Sequence, residues 1–191
     1  MFEFPLYRLA PSSKEVAPVA AAVGEEIPLG GTLPVAGGAF SSELGECFHG
    51  YMAVAVPSED DPTLARALVA RWEQRDIVAA EDLVACGARL RDLIAKKWPG
   101  AVVETEVPMS FTNAAGQVSE GYIDLLVRTS AGKFVIIDHK VVGGPDVLVH
   151  VRHYAGQQDI YRRAVGGDGF ADVSVYLHLP HQGKLVEMRW A

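Results

Sequence analysis

At Pro99-Gly100 the hydrophobic period of this chain changes, and few architectures accommodate the change. Before it, apolar residues recur three and four apart, as on helices; after it they alternate or run together with many β-branched residues, as in strands. Ser42 to about Val54 reads as a helix, with Ser41-Ser42 as N-cap and Glu43 as an early acid. Asp61-Pro62 opens a second, with Leu64, Leu68 and Trp72 on one face. Ala80 to Lys97 is the clearest: Leu83, Cys86, Leu90, Leu93 and Ile94 form its stripe, and Lys96-Lys97 suit its negative end. Strands are then predicted over Val102–Pro108, Gly121–Arg128 and Phe134–Lys140. A helix follows from Asp146 to about Val165, then strands over Val173–Leu179 and Leu185–Trp190. Helices, three strands, a helix and two strands imply an α/β domain with a mixed β-sheet flanked by helices. The 191 residues suit one such domain, predicted over 42–191. Residues 1–41 read as an irregular arm packed on it: they hold Pro5, Pro11, Pro18, Pro28 and Pro34, but too many apolar residues for a free linker.

Composition narrows the function. Lys and Arg number 17 against 24 Asp and Glu, a net charge of −7, which excludes a protein that coats nucleic acid by charge alone. Two cysteines, Cys47 and Cys86, cannot build a disulfide framework or a four-cysteine metal centre. No segment has the apolar length of a membrane span, and Met1–Pro5 lacks the basic flank and apolar core of a secretory signal. The expectation is a cytoplasmic chain with no membrane partner.

The chemistry concentrates in Gly121–Val127 and Phe134–Lys140. Thr129–Lys133 has hairpin composition, with Gly132 able to take positive φ. A hairpin centred on Ala131 sets Asp124 directly across from Asp138, Cβ atoms roughly 5 Å apart. Asp138 and Lys140 share a strand face. Two opposed carboxylates in an apolar hairpin need neutralising by a shared proton, by Lys140, or by a divalent cation. Lys140 alone leaves one negative charge over, which a hard cation such as Mg²⁺ or Mn²⁺ suits. A solvated Asp138–Lys140 ion pair, with Asp124 capping a local turn, satisfies the same residues.

Gly-x-Ile-Asp followed by an apolar strand ending Asp-x-Lys resembles the PD-(D/E)XK nucleases, and most closely the RecB-like nuclease domain of AddA-type helicase–nucleases. Gly45–His49 is similar to that family's Gly-x-x-x-His helix, and Gln157–Tyr161 to its Gln-x-x-x-Tyr helix. All four blocks occur in order over about residues 42–165. The resemblance implies a restriction-endonuclease-like fold and a DNA nuclease using Mg²⁺ or Mn²⁺ on single strands or ends in recombination or repair. It implies metal ligation by His49, Asp124, Asp138 and the backbone carbonyl of His139. It implies catalysis by Asp124, Asp138 and Lys140, with site support from Gln157 and Tyr161; Tyr154 beside them is a further support candidate, and Arg152 a candidate phosphate contact or a solvated helix charge. Glu106 is a further possible acid, since relatives often carry one on the preceding strand; its alternation with Glu104 equally fits a solvent face. Arg162 and Arg163 are candidate phosphate contacts or solvated helix charges, and His150-x-x-His153 lacks a third ligand nearby. The family name promises Pro-Asp where Tyr122-Ile123 stands. Relatives with an iron–sulfur cluster use four cysteines, so the likeness is to the cluster-free branch. No Walker-type loop is present, so the chain is not itself a motor; it is either a free-standing nuclease or, as the resemblance implies, a module served by helicase domains in the same or a partner chain. The rival expectation is a catalytically silent copy of the fold that binds DNA or docks a helicase.

Overall fold

The computed structural model describes residues 8–13, 16 and 19–190. Pro5 and Pro18 of the predicted arm lie outside them. The protein is α/β: a mixed seven-stranded sheet with four helices. The strands are β1 (Arg8–Leu9), β2 (Ala21–Pro28), β3 (Val102–Thr112), β4 (Val118–Arg128), β5 (Phe134–His139), β6 (Ser174–Leu179) and β7 (Lys184–Trp190); the helices are α1 (Ser42–Ala55), α2 (Pro62–Arg71), α3 (Ala80–Lys97) and α4 (Val147–Gly166). Along the sheet the order is β1-β4-β5-β6-β7-β2, with β3 also on β4. β5 and β6 are parallel, joined through α4, and β1 is parallel to β4; the other pairings are antiparallel.

Helix starts follow the local chemistry. The Ser41 hydroxyl accepts from the Leu44 amide, Asp61 caps α2 with Pro62 in its first turn, and Asp146 accepts from Leu148 and Val149. α1, α2 and α3 cover one sheet face, packing Phe48, Tyr51, Leu83 and Leu90 against Leu125, Val127, Val135 and Ile137. α4 covers the other, packing Val151 and Ala155 against Ile123, Leu126, Ile136 and Leu177. The result is three layers with a core on each side of the sheet.

Two expectations are corrected. Residues 21–28, read as irregular, form the strand β2 antiparallel to β7. Its alternation is hidden by a register shift between Val23 and Glu26, at Gly24-Glu25, and by Pro28 at its end. The strands predicted over Val102–Pro108 and Gly121–Arg128 are longer, joined by a turn at 113–117 where Asn113 Oδ1 accepts from the Ala115 and Gln117 amides. Pro108 does not end β3, because β3 pairs with β4 alone and an edge strand tolerates a missing N–H.

Candidate metal centre

The hairpin register is the one the turn predicted: Leu125 pairs with Ile137 and Val127 with Val135, so Asp124 and Asp138 lie across from one another where the ladder ends. The β3–β4 ladder skips the rung between Thr105–Leu125 and Val107–Ile123, which places Glu106 beside Asp124. Val103 and Leu125 belong to the core under α1–α3, whereas Val107 and Ile123 belong to the core under α4. Residues of the same parity thus change faces across this rung. The change is made at Glu106, a non-glycine residue with φ of 50°. Simple alternation would leave Glu106 on the solvent side with Glu104; the kink brings it into the site.

Gly45 and His49 share a face of α1, four residues apart. His49 Nδ1 lies 3.4 Å from Asp124 Oδ2, which also accepts the His139 amide at 2.7 Å. Ligand atoms of His49, Glu106 and Asp124 all lie within 4.8 Å of one another, the one such His/Cys/Asp/Glu group among the described residues. Burial works against a charged His49, but the close carboxylate of Asp124 outweighs it and holds the imidazole above its ordinary pKa. Burial works against the Asp124 carboxylate too; His49 more than offsets it, and its pKa falls. Glu106 is pushed up, by burial first and then by the charge of Asp124.

Asp138 is 1% exposed. Lys140 Nζ stands 2.8 Å from its Oδ2 and 4.7 Å from the centre of the Tyr154 ring on α4. Burial raises the Asp138 pKa despite Lys140, and the charge of Asp124 adds to it. For Lys140, burial disfavours the ammonium, but Asp138 overrides this and keeps it protonated. Asp138 is therefore partnered by Lys140 and stands outside the His49–Glu106–Asp124 group. The Lys140 amide donates to the His178 carbonyl on β6 at 2.8 Å. The N–H and C=O of a trans peptide point opposite ways, so the His139 carbonyl points toward the β4 side. The His139 ring lies against Phe48 and His49 of α1, on the face away from Lys140, as alternation predicted.

On α4, Gln157 Nε2 donates to the buried Tyr161 hydroxyl at 2.9 Å. Burial pushes the Tyr161 phenol up to about 12, and the charges of Asp138 and Asp124 reach it. Arg152 is exposed. Arg162 and Arg163 are both engaged by Asp159 at 2.7 Å and lie over Phe170. His150 points to the Gly144 carbonyl and His153 lies on Tyr154, so they do not form a metal pair.

The cluster opens into a cleft of about 550 Å³ between α1, α2 and β3, lined also by Leu68 and Arg71 of α2 and by Trp72 at its C-terminal cap. In the sequence, Leu68 and Trp72 fall on the core stripe of this helix and Arg71 stands out in no motif. Both apolar residues do pack on the core, so the only signal was that this stripe runs to the end of its helix beside a cation.

The donors fit a hard divalent cation: one imidazole nitrogen, two carboxylates and a backbone carbonyl on the same side. Neither described cysteine is near them in role; Cys47 and Cys86 are buried and free. No helix among the described residues is long and apolar enough to cross a membrane. No family model matches the chain. No curated protein matches it either. Among solved structures it is similar to one described as "Crystal structure of SSO0001", at 14% identity and a TM-score of 0.29, over 77% of this chain and 76% of that one.

Proposed function

We propose that this chain is a metal-dependent deoxyribonuclease of the PD-(D/E)XK kind, acting on single strands or ends as the nuclease module of a cytoplasmic recombination or repair assembly. The observation that carries this reading is the convergence of His49, Glu106 and Asp124 within 4.8 Å at the wall of an open cleft, with the Asp138–Lys140 pair beside them. His49, Glu106, Asp124 and the His139 carbonyl would hold Mg²⁺ or Mn²⁺. When bound, the cation supplies a Lewis acid for a phosphoryl oxygen and lowers the pKa of water. Asp124 is kept ionised by His49 and by the His139 amide, so it is ready as an oxygen ligand without first losing a proton. Lys140, held protonated by Asp138, serves as a fixed positive charge facing the phosphate as negative charge develops, and not as a base. Tyr154 and the Gln157–Tyr161 pair back Lys140 and Asp138 from α4. A net charge of −7 gives the domain little hold of its own on DNA, which favours helicase domains, in the same or a partner chain, as the source of substrate.

The test is cleavage of end-labelled single-stranded DNA with Mn²⁺. Glu106→Gln and Asp124→Asn are expected to lower the rate by at least a hundredfold, and excess chelator to abolish it. Cleavage that persists in chelator or in Asp124→Asn would contradict the reading. DNA binding without any cleavage would favour a silent copy of the fold.

A further inference from the structure

The cleft beside the metal-ligating group has a second wall with no assigned task. Its lining divides by chemistry. Glu46, Glu106 and Asp124 make one side acidic, while Leu68, Trp72 and Arg71 make the other apolar with a single cation. Arg71 is exposed and forms no ion pair among the described residues; its guanidinium lies 5.8 Å over the Trp72 ring. Such an arrangement leaves the guanidinium's donors open to an incoming anion.

Gly45 supplies an independent observation. It lies inside α1, where glycine costs roughly 0.5–1 kcal/mol relative to alanine. A close neighbour would explain it, yet a Cβ built there meets nothing within 4 Å. The vacant space is the cleft itself. Five residues on, Gly50 also lines it but lies against Leu68, where a Cβ would meet the Leu68 methyls at 3.6 and 3.8 Å, so α1 leaves bare backbone open to the cleft at Gly45. The floor is open to a flat group, the facing wall is apolar and aromatic, and the cation lies at one side.

We infer that Gly45, Leu68, Arg71 and Trp72 form a subsite for one unpaired nucleotide of a polynucleotide strand, the base against Leu68 and Trp72 and its phosphate on Arg71. The assignment deepens the nuclease reading and rests on it for the identity of the strand. Stacking on an aromatic and one guanidinium contact suit a splayed base, as single-strand binders use. A base within a duplex is stacked on its neighbours and does not present its face to Trp72. The acidic side repels phosphate until a cation is loaded, so strand binding depends on the divalent ion.

The test is anisotropy of a labelled oligo-dT and of a blunt hairpin duplex, with the full chain in Ca²⁺ and in chelator. Native protein is expected to bind oligo-dT more tightly than duplex, and only with Ca²⁺. Arg71→Ala is expected to weaken oligo-dT binding roughly tenfold or more, the loss of one charge-assisted hydrogen bond, and Arg71→Lys to recover part of it. Gly45→Leu is expected to fill the floor and abolish binding, with thermal stability not lowered and calorimetric Mn²⁺ affinity unchanged. Native-like oligo-dT binding by both Arg71→Ala and Gly45→Leu would overturn the subsite, as would equal binding of duplex. Because this readout needs no turnover, the two proposals fail separately. Cleavage and Mn²⁺ binding with indifferent Arg71 and Gly45 variants would remove the subsite alone. Binding that depends on Arg71 and Gly45 in a protein that neither holds Mn²⁺ nor cleaves would remove the nuclease reading alone.

Discussion

Asp138 and Asp124 are the same residue type on facing strands, and their surroundings divide their work. Asp124 meets His49 and a backbone amide; Asp138 is sealed under the sheet with Lys140. Removing one member of a buried pair strands the other, so Asp138→Ala is expected to cost about 3 kcal/mol of stability in urea unfolding. Lys140→Met should cost much less, because Asp138 can neutralise itself by taking a proton. Equal losses would show that the pair is solvated. A second buried pair sets the pH response. His139 and His178 meet through their Nδ1 atoms at 2.9 Å, one ring donating and the other accepting. Burial pushes His139 down to about 3 and His178 well below its ordinary value. Unfolded, both titrate near 6.5. The unfolded chain therefore binds more protons below that pH, and stability falls as pH drops from about 6.5 toward 3. His49, raised instead of lowered, works in the opposite window: its contribution is lost as pH climbs past 6.5. His178→Gln should make the stability slope between pH 5.5 and 4 shallower by about 1.4 kcal/mol per pH unit. An unchanged slope would mean that His178 takes up protons in the native protein.

At the scale of elements, α2 ends in a turn whose residue type and geometry disagree. Gln74 donates its amide to the Val69 carbonyl at 2.8 Å and Glu73 to Ala70 at 3.3 Å, the paired bonds of a Schellman cap. Glu73 sits at φ of 56°, where glycine is usual. Glu73→Gly is expected to raise stability by about 1 kcal/mol, read as a higher urea midpoint with unchanged slope. A lower midpoint would mean that the Glu73 side chain supports the turn. The hairpin carrying Asp124 and Asp138 was legible because Thr129–Lys133 fixes the register and Gly132 takes the positive φ the turn needs. Glu106 was legible only as an alternative, since its place depends on a kink that alternation rules do not anticipate. β2 was not legible at all: Gly24-Glu25-Glu26 breaks the period where the strand shifts register against β7.

For the whole molecule, the layers explain why the site lies where it does. α1 brings His49 from one side of the sheet, α4 brings Tyr154 and Tyr161 from the other, and the face change at Glu106 and Asp124 lets both sides reach one corner. A mixed sheet flanked by helices was foreseeable from periodicity; which helices cover which face, and the convergence of β3 on this corner, were not. Net acidity also takes on a place, since part of it belongs to side chains that a cation would neutralise. The measurement closest to the central claim is anomalous scattering from crystals soaked in Mn²⁺. A metal centre at this corner predicts a single strong peak within coordination distance of His49, Glu106 and Asp124, absent from crystals of Glu106→Gln. A peak elsewhere, or none at the corner in the native protein, would contradict it.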